Sequence, residues 1–437
     1  MSILTNIKIS KLANSLGLDV EHDASIDKDS TYCMNNFPLD QYDTQLFIGD
    51  NLVHLQELAL HSSQVVDVCY IDPPYNTGSK FIYQDNRKSN NHPLFGSHAS
   101  WMSFMLPRLC WAKELLKKSG VITISIDDYE LAYLKLLMDR IFGEDNFIAC
   151  VIVCRSKNGK GSKKNVATNH EYLLVYGNTS DSSLIGELDD SAYPKSDEYG
   201  SFRTDGLFRK KGDASLRTDR PNMYYPLYFD GNSGKVSVDP IDGWEVVYPT
   251  DSKGMERRWL WGPETARKRQ WQLFASKKGV IYVKNYASQG GDEPKRRKIR
   301  TIWSDTSFYT ERATNEITEM FGSKIFDTPK PIDFIKKIID VCGEKDAVVL
   351  DFFAGSGTTA HAVHSLNRGD SGNRKCLLME NDTPIPNNHA ARELGYKKIS
   401  DIVTARLNKI QKIDQSYSYT CISLYDAYFE EKIEATS

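Results

Sequence analysis

The chain has 437 residues, of which 40% are hydrophobic and 26% are charged, and its formal net charge is −3 at pH 7. These values are ordinary for a soluble globular protein of two domains, or of one domain with a large insertion, and no apolar run approaches the ~20 residues of a membrane span. Residues 1–20 lack the apolar core of a signal peptide, and the eight cysteines are scattered without a CxxC pair. We therefore expect reduced thiols in a cytosol rather than disulfides, a zinc site or secretion.

The charge is unevenly distributed along the chain. Residues 155–300 contain 27 Lys and Arg against 19 Asp and Glu, a balance of +8, whereas the remainder has 28 against 39, or −11. A basic segment inside an acidic chain predicts contact with a polyanion. A solvated basic surface is the alternative interpretation.

Residues 1–43 show no strong hydrophobic period, and we expect an irregular arm or short helices there. An alternation of strands and helices begins at Thr44. The predicted strands cover 44–50, 65–72, 120–127, 147–154 and 170–177, and the predicted helices cover 51–58, 100–120 and 128–143. Near-continuous apolar strands that alternate with helices are typical of an open, mostly parallel sheet.

The alternation is lost between residues 178 and 325, which are rich in Gly, Ser, Asp, Tyr and Trp. One helix is predicted there, over 263–278, because Pro263 stands at its start and lysines stand at its end. The alternation then returns with helices over 331–343, 358–366 and 399–413 and strands over 346–353 and 374–382. The predicted organisation is an arm (1–43), a first half of an α/β domain (44–177), an insertion (178–325) and a second half with a tail (326–437).

The stretch DFFAGSGTTA (351–360) places a glycine-rich turn between a strand and the start of a helix. Glycines allow backbone N–H groups to approach a ligand, and a helix N-terminus favours negative charge. The lysine of a Walker motif is missing, since Thr358 follows Gly357, so a triphosphate is a poor candidate. Glu380 ends the next strand, where dinucleotide folds place the acid that binds ribose hydroxyls. The pattern indicates an adenosine-bearing cofactor, and a tight turn beside a solvated acid is the alternative.

The stretch VDVCYIDPPY (66–75) is a buried strand that ends in an acid, two prolines and an aromatic ring. An exocyclic amine on a nucleobase is a poor nucleophile, because its lone pair is delocalised into the ring, and it carries two N–H donors. The Asp72 carboxylate can accept one N–H and the Pro73 carbonyl the other, since fixed proline φ angles hold that carbonyl in place. The Tyr75 ring offers a stacking face worth ~1–3 kcal/mol, and a base must leave the duplex to reach it. A plain strand terminator is the alternative.

The two motifs together, IDPPYNTGSKF and DFFAGSGTTAHAV, resemble the amino-methyltransferases of DNA that use S-adenosylmethionine. The catalytic motif precedes the glycine-rich motif with a long insertion between them, which matches the β-class permutation. The stretches FIGDNLVHLQEL, FDTPKP and RKCLLMEND resemble the adenine-specific modification (Mod) subunits of type III restriction–modification systems in particular. The resemblance implies a doubly wound, mostly parallel, Rossmann-like sheet that is circularly permuted, with a target-recognition domain at 178–325.

The resemblance also assigns site residues. Asp72, Pro73, Pro74 and Tyr75 would hold and activate the target amine. The implied cofactor-binding residues are Asp50, Lys330, Asp351, Phe353, Gly355, Gly357, Thr358, Thr359 and Glu380, with Asp50 on the adenine amino group, Glu380 on the ribose hydroxyls and the threonines on the carboxylate. The expected DNA contacts are Lys157, Lys160, Lys163, Lys164, Arg209, Lys210, Arg296 and Arg297. No metal site and no catalytic cysteine are expected, because the amine itself attacks the sulfonium methyl.

The function implied is site-specific methylation of the N6 amino group of adenine in duplex DNA, with base flipping, in a restriction–modification system. The implied setting is a bacterial or archaeal cytoplasm, in association with the nucleoid, and the implied partners are a second copy of the chain and a restriction (Res) subunit. Three alternatives stay open. They are N4-cytosine methylation, methylation of an RNA base or a protein side-chain amide, and a non-catalytic DNA-binding subunit with a vestigial cofactor pocket.

Overall fold

The computed structural model describes residues 2–20, 41–76, 97–161, 165–189, 193–287 and 296–423. The chain divides into two compact units. One is discontinuous and consists of 1–187 with 298–437, and the other consists of 188–297. The second unit therefore interrupts the first in sequence, inside the predicted insertion.

Within the described residues, the discontinuous unit contains a sheet of nine strands, labelled β1 to β9 in chain order. They are Thr44–Ile48, Val66–Ile71, Leu116–Ile126, Phe147–Cys154, His170–Gly177, Ile302–Trp303, Val348–Asp351, Lys375–Glu380 and Tyr419–Ser423. Their spatial order is β6-β4-β5-β3-β2-β7-β8-β1-β9. Six of the eight neighbouring pairs are parallel, and both antiparallel pairs involve β5. The prediction of a mostly parallel sheet is confirmed.

Helices cover both faces of this sheet. The α-helices of the described chain, labelled α1 to α10, are Ser2–Leu16, Asn51–His61, Ser97–Leu115, Leu131–Phe142, Pro263–Arg269, Thr310–Phe321, Ile332–Cys342, Thr358–Asp370, Ala390–Glu393 and Ile399–Ile413. Along β2, Cys69 and Ile71 pack in a core shared with α1 to α4, whereas Val68 and Tyr70 pack in a core shared with α7, α8 and α10. Alternate side chains thus enter opposite layers, as in a doubly wound fold.

The predicted helix over 100–120 is wrong at its carboxyl end. Helix α3 ends at Leu115, and β3 follows at once. Lys117 and Lys118, near the end of the predicted helix, lie on β3, where Lys117 Nζ is 2.8 Å from both carboxylate oxygens of Asp67 on β2. Gly120 lies inside the strand rather than after a helix. The helical apolar spacing reaches Leu116, the first residue of β3, and the polar residues 117–120 look like the end of a helix, so the pattern does not reveal the boundary.

The predicted helix over 263–278 is wrong in its second half. Helix α5 ends at Arg269, a single 3-10 turn covers Gln270–Gln272, and Leu273–Ala275 forms a strand. That strand pairs with Ile281–Tyr286 and buries alternate residues. The period of two in burial shows that packing against a neighbouring strand overrides the helical propensity of the segment.

The unit 188–297 is built from short strands. Among its strands are Lys195–Asp197, Gly200–Leu207, Leu227–Phe229, Val236–Ser237, Glu245–Val247, Leu273–Ala275 and Ile281–Tyr286. Its core contains Phe208 and Trp259, whose rings stack with centroids 5.3 Å apart. Aromatic residues of the insertion therefore pack a small core of their own.

Candidate active site

Three acidic residues stand at the carboxyl ends of strands that lie side by side. Asp72 follows β2, Asp351 ends β7 and Glu380 ends β8. Because β2, β7 and β8 are parallel neighbours, their carboxyl ends meet at one edge of the sheet, where a cavity of about 500 Å³ opens. The predicted site residues that line this cavity are Asp72, Pro74, Lys330, Asp351, Phe353, Gly355, Thr358, Thr359 and Glu380.

The glycine-rich turn joins β7 to α8 through two residues in left-handed conformation. Gly355 has a φ of +56° and Gly357 a φ of +75°. Gly355 N–H donates to Glu380 Oε2 at 2.5 Å, so the acid at the end of β8 holds the turn. A Cβ on Gly357 would lie 3.1 Å from Val403 Cγ1. Gly357 does not line the cavity, and its role is to let the chain enter α8 against α10.

Of the two acids beside the turn, Asp351 is buried and Glu380 is half-buried, and both are bonded to backbone or hydroxyl groups. Asp351 accepts from Phe353 N–H at 3.0 Å and from the Thr359 hydroxyl at 2.5 Å. Burial raises the pKa of Asp351 to about 7, against the lowering effect of these two bonds. Burial likewise raises the pKa of Glu380 to about 8. Both carboxyl groups can therefore hold a proton near neutral pH, until a ligand with donors or positive charge stabilises the ionised form.

The predicted catalytic motif, residues 72–75, forms with Lys330 a corner of polar and charged groups in contact. Tyr75 Oη donates to Asp72 Oδ1 at 2.5 Å, and Lys330 Nζ lies 2.9 Å from the same oxygen. Lys330 Nζ also donates to Tyr75 Oη at 2.6 Å. Burial, and next the Asp72 carboxylate, raises the pKa of Tyr75 well above its ordinary value, so the phenol keeps its proton and acts as a donor. The structure brings Lys330 to Asp72 as well as to the cavity wall.

The loop after Asp72 is held by groups that sequence reasoning missed. Trp101 Nε1 on α3 donates to the Pro74 carbonyl at 2.6 Å. Asn76, with a φ of +56°, donates from Nδ2 to Glu130 Oε1 at 2.7 Å. Because Trp101 occupies the Pro74 carbonyl, the Pro73 carbonyl is the better candidate for a second contact with a substrate amine. The position of Trp101 in an apolar helix gave no signal of this role.

The buried acid Glu171 on β5 was also missed. Its carboxylate accepts from Lys330 Nζ at 2.9 Å and forms an ion pair with Arg155 Nη1 at 2.9 Å. It also lies 3.1 Å from Tyr75 Oη, whose single O–H is donated to the nearer Asp72 Oδ1. The side chain of Glu171 is only 2% exposed. The signal in the sequence was a glutamate inside the otherwise apolar strand HEYLLVYG.

The structure does not bring Asp50 to the cavity wall. Its carboxylate caps α2 by accepting from Leu52 N–H at 2.8 Å, and it accepts from Arg108 Nη2 at 3.0 Å. The next residue, Asn51, lines the cavity instead and donates from Nδ2 to the Phe352 carbonyl at 2.6 Å. A role for Asp50 in cofactor binding stays a prediction, and Asn51 is a second candidate at this strand end.

The expected DNA contacts are scattered over both units. Lys157 is exposed, and Lys160 lies in a two-residue strand, Lys160–Gly161. Lys163 and Lys164 lie outside the described residues. In the second unit Arg209 and Lys210 are half-buried, and Arg297 Nη1 is 4.0 Å from Asp189 Oδ1, next to Arg296 in the strand Arg296–Arg297. A DNA-contacting role for these residues stays a prediction.

Among the described residues, no group of three His, Cys, Asp or Glu side chains is arranged to hold a metal ion. In the same part of the chain, no helix is both long and apolar enough to cross a membrane.

Comparison with known proteins decides the family. A family model described as DNA methylase matches residues 66–380, which is most of the chain. The chain belongs to the DNA methylase family. Both motifs of the cavity, Asp72–Tyr75 and the turn before α8, lie inside the matched range.

This DNA methylase is similar to curated proteins of two kinds. It is 56% identical over 418 residues to the type II methyltransferase M.KpnI of Klebsiella pneumoniae, covering 95% of this chain and 98% of that one. It is 34% identical to the type III EcoPI Mod subunit of Escherichia phage P1 and 35% identical to the StyLTI Mod subunit of Salmonella typhimurium. The matches cover 84% and 83% of this chain, but only 62% and 56% of those two subunits.

Solved structures of DNA methyltransferases are more distant. The PvuII DNA methyltransferase, described as cytosine-N4-specific, is 12% identical with a TM-score of 0.42, over 87% of this chain and 95% of that one. An M1.HpyAVI complex with S-adenosylmethionine is also 12% identical, with a TM-score of 0.36, over 83% and 100%. Likeness at this level is too weak to carry a substrate over to this chain.

The cavity of this DNA methylase fits S-adenosylmethionine, the methyl donor of the family. Two carboxyl groups with raised pKa values, Asp351 and Glu380, stand at the strand ends, where ribose hydroxyls and a positive charge would stabilise their ionised forms. Phe104, Phe326 and Phe353 give the cavity apolar walls for a purine ring. When bound, the donor supplies an electrophilic methyl group on a sulfonium.

Proposed function

We propose that this DNA methylase transfers a methyl group from S-adenosylmethionine to the N6 amino group of an adenine flipped out of duplex DNA. One observation carries the proposal. The amine-holding acid Asp72 lines the same 500 Å³ cavity as Asp351, Gly355 and Glu380 of the cofactor motif. An amine held by Asp72 would therefore face the pocket of the methyl donor.

The geometry of the corner suits an exocyclic amine. One N–H of the amine would donate to the Asp72 carboxylate, and the Pro73 carbonyl would accept the other. Both acceptors are fixed before the base arrives, because the prolines restrict φ and Trp101 holds the Pro74 carbonyl at 2.6 Å. Pulling on both hydrogens favours a tetrahedral nitrogen, so its lone pair can attack the methyl group in line. The N–C bond would form as the S–C bond breaks, leaving a neutral thioether, and the nitrogen would then lose one proton. No nucleophile from the enzyme is needed.

Adenine is proposed rather than cytosine by resemblance, because Asp, not Ser, precedes the two prolines of the motif. The similarity to two type III Mod subunits, at 34% and 35% identity, supports this choice, since the motifs resemble adenine-specific Mod subunits. The match to 98% of M.KpnI supports action within a type II restriction–modification system. A homodimer and a Res partner remain predictions of the resemblance.

The unit 188–297 is the proposed target-recognition domain. It carries 20 Lys and Arg against 16 Asp and Glu, a balance of +4, whereas the rest of the chain has 35 against 42, or −7. A positive unit in a negative chain supports contact with the phosphates of DNA.

Nucleoside analysis tests the proposal. Duplex DNA is incubated with the purified chain and labelled S-adenosylmethionine, digested to nucleosides and separated by chromatography. The label should appear in N6-methyladenine and be absent with the Asp72→Ala variant. Label in N4-methylcytosine would overturn the choice of base. If RNA or peptide competes for the enzyme better than unlabelled duplex DNA does, duplex DNA is the wrong substrate class.

A further inference from the structure

The buried carboxylate of Glu171 has no part in the mechanism so far, although it lies beside the catalytic acid. It is 2% exposed and has three partners, Arg155 Nη1 at 2.9 Å, Lys330 Nζ at 2.9 Å and Tyr75 Oη at 3.1 Å. These partners come from three distant parts of the chain, and the fold brings them together at the end of β2. A buried acid costs free energy unless it is paired, and here it is paired twice with cations.

Two of the partners of Glu171 are also the donors that hold Asp72. Tyr75 Oη lies 2.5 Å from Asp72 Oδ1, and Lys330 Nζ lies 2.9 Å from the same atom. Oδ1 is thus engaged by two donors, and in the described part of the chain no hydrogen bond reaches Oδ2. The arrangement leaves Oδ2 as the oxygen that can accept from an incoming amine.

We propose that Glu171 is a positioning residue for methyl transfer, which anchors Lys330 and Tyr75 so that they hold Oδ1 of Asp72 and present Oδ2 to the target amine. The inference rests on the proposed function, because it assigns Asp72 to the amine. Arg155 completes the arrangement as the cation that keeps Glu171 in place. Glu171 itself touches neither the amine nor the cofactor cavity.

Charge balance gives Glu171 a second effect on Asp72. The corner contains two carboxylates, Asp72 and Glu171, and two cations, Lys330 and Arg155. Burial alone would raise the pKa of Glu171, but Arg155 and Lys330 lower it below its ordinary value, so Glu171 is ionised at neutral pH. Because Lys330 is shared between two acids, Asp72 keeps more of its negative charge and is a stronger acceptor for an amine.

A double-mutant cycle tests the inference on the full chain. The single-turnover rate of methyl transfer is measured at saturating cofactor and DNA for the wild type, Glu171→Gln, Tyr75→Phe and the double variant. Glu171→Gln should slow the step about 10- to 100-fold, because Asp72 is held in the wrong orientation. The dissociation constants for cofactor and DNA should change much less than the rate, since Glu171 acts on the cavity only through Lys330; a change as large as the loss of rate would overturn the inference.

The rate of the double variant shows whether Glu171 acts through Tyr75 or whether its replacement disturbs the site independently of Tyr75. If Glu171 acts through Tyr75, the loss in the double variant is smaller than the product of the two single losses. Losses that multiply would overturn the inference, as would a wild-type rate for Glu171→Gln. If Glu171→Gln does not fold, the same cycle is run with Glu171→Asp, which keeps the charge and shortens the anchor.

Asp139→Asn is a matched control. Asp139 on α4 also accepts from a lysine and a tyrosine, Lys135 Nζ at 2.7 Å and Tyr176 Oη at 2.6 Å, but it does not line the cavity. The rate of methyl transfer by Asp139→Asn should equal that of the wild type. Failure of this inference is distinguishable from failure of the proposed function, because the cycle uses whichever base the wild type methylates. If the wild type methylates cytosine, the adenine proposal is wrong, but the coupling between Glu171 and Tyr75 can still be measured.

Discussion

The loop that follows β2 is fixed by side chains from separate helices and turns before any base arrives. Trp101 Nε1 holds the Pro74 carbonyl at 2.6 Å, and Glu130 accepts from Asn76 at 2.7 Å. His98 Nδ1 lies 2.7 Å from the same oxygen of Glu130. Preorganised acceptors cost no reorganisation when the amine binds, which is how a weak nucleophile can be activated without a metal or a covalent intermediate.

Replacing Asp72 by alanine should abolish methyl transfer while cofactor binding largely survives. The variant removes the acceptor for the amine, and preorganised groups of this kind are worth about 10²–10³ in rate. Single-turnover kinetics measures the transfer, and isothermal titration calorimetry measures cofactor affinity. Asp333→Ala, which alters an exposed ion pair with Lys336 on α7, is the control and should retain full activity. Normal turnover of Asp72→Ala would refute the catalytic assignment.

Stability of the cofactor-free protein should depend on pH through Glu380. Burial raises its pKa to about 8, so the folded state binds a proton that the unfolded chain releases at lower pH. The contribution is fully present below the unfolded pKa and is lost as pH rises through the folded pKa, between about pH 5 and pH 8. Thermal melts across this range should show Glu380→Gln gaining stability relative to the wild type as pH rises. A constant difference between the two melting curves would contradict this.

At the scale of elements, the turn between β7 and α8 depends on backbone conformation more than on side chains. Gly357 has a φ of +75°, and an added Cβ would also meet Val403 at 3.1 Å. Gly355 N–H donates to Glu380 at the end of β8, and Gly355 and Glu380 both line the cofactor cavity. Distortion of this turn would therefore reach the cofactor cavity directly.

Gly357→Ala should destabilise the protein and weaken cofactor binding. The left-handed conformation costs a residue with a Cβ roughly 1–2 kcal/mol, before the contact with Val403 is counted. Gly369→Ala is the matched control, because Gly369 lies inside α8 with no atom within 4 Å of its added Cβ. The control should gain up to about 1 kcal/mol from helix propensity. Denaturant unfolding measures the free energy of unfolding of Gly357→Ala and of Gly369→Ala. Equal changes in the two variants would show that the turn is not strained.

The predictable elements are those whose determinants are local. The Asp-Pro-Pro-Tyr and Gly-Ser-Gly stretches fix strand ends and turns through proline and glycine conformations, so the cavity could be placed from sequence. The boundary at Leu115 could not, because the helical apolar spacing extends to Leu116 and the polar residues 117–120 look like the end of a helix. Arg155 and Trp101 act through contacts between distant segments, which no single-sequence pattern encodes. Glu171 left one signal, an acid inside a buried strand, but the sequence does not show its partners. Asp50 was chosen from its strand-end position, and tertiary packing places its neighbour Asn51 in the cavity wall instead.

At the scale of the whole molecule, positive charge is concentrated in one unit of a negative chain. The balance is +4 in residues 188–297 and −7 elsewhere. Binding to DNA that depends on phosphate contacts releases counterions, so affinity falls with salt in proportion to the number of contacts. We therefore expect the affinity for DNA to fall as the salt concentration rises.

Replacing Arg209 and Lys210 together by alanine should weaken DNA binding and reduce the slope of log affinity against log salt by about 1–2. The loss should be similar for DNA with and without the target site, because phosphate contacts do not read bases. Lys8→Ala, which removes a partner of Glu114 in the other unit, is the control and should leave the slope unchanged. Fluorescence anisotropy over a salt series measures all three proteins. An unaltered slope in the double variant would show that these residues do not contact phosphates.

The most direct test of the account is a crystal structure with a methyl-donor analogue and duplex DNA bound. The account predicts that the target base is flipped out, with its amino nitrogen in hydrogen-bond contact with Asp72 Oδ2 and the Pro73 carbonyl, and with the donor group facing it from the cavity of Asp351 and Glu380. A donor group remote from Asp72, or a base that stays stacked in the duplex while its amine is methylated, would contradict the account.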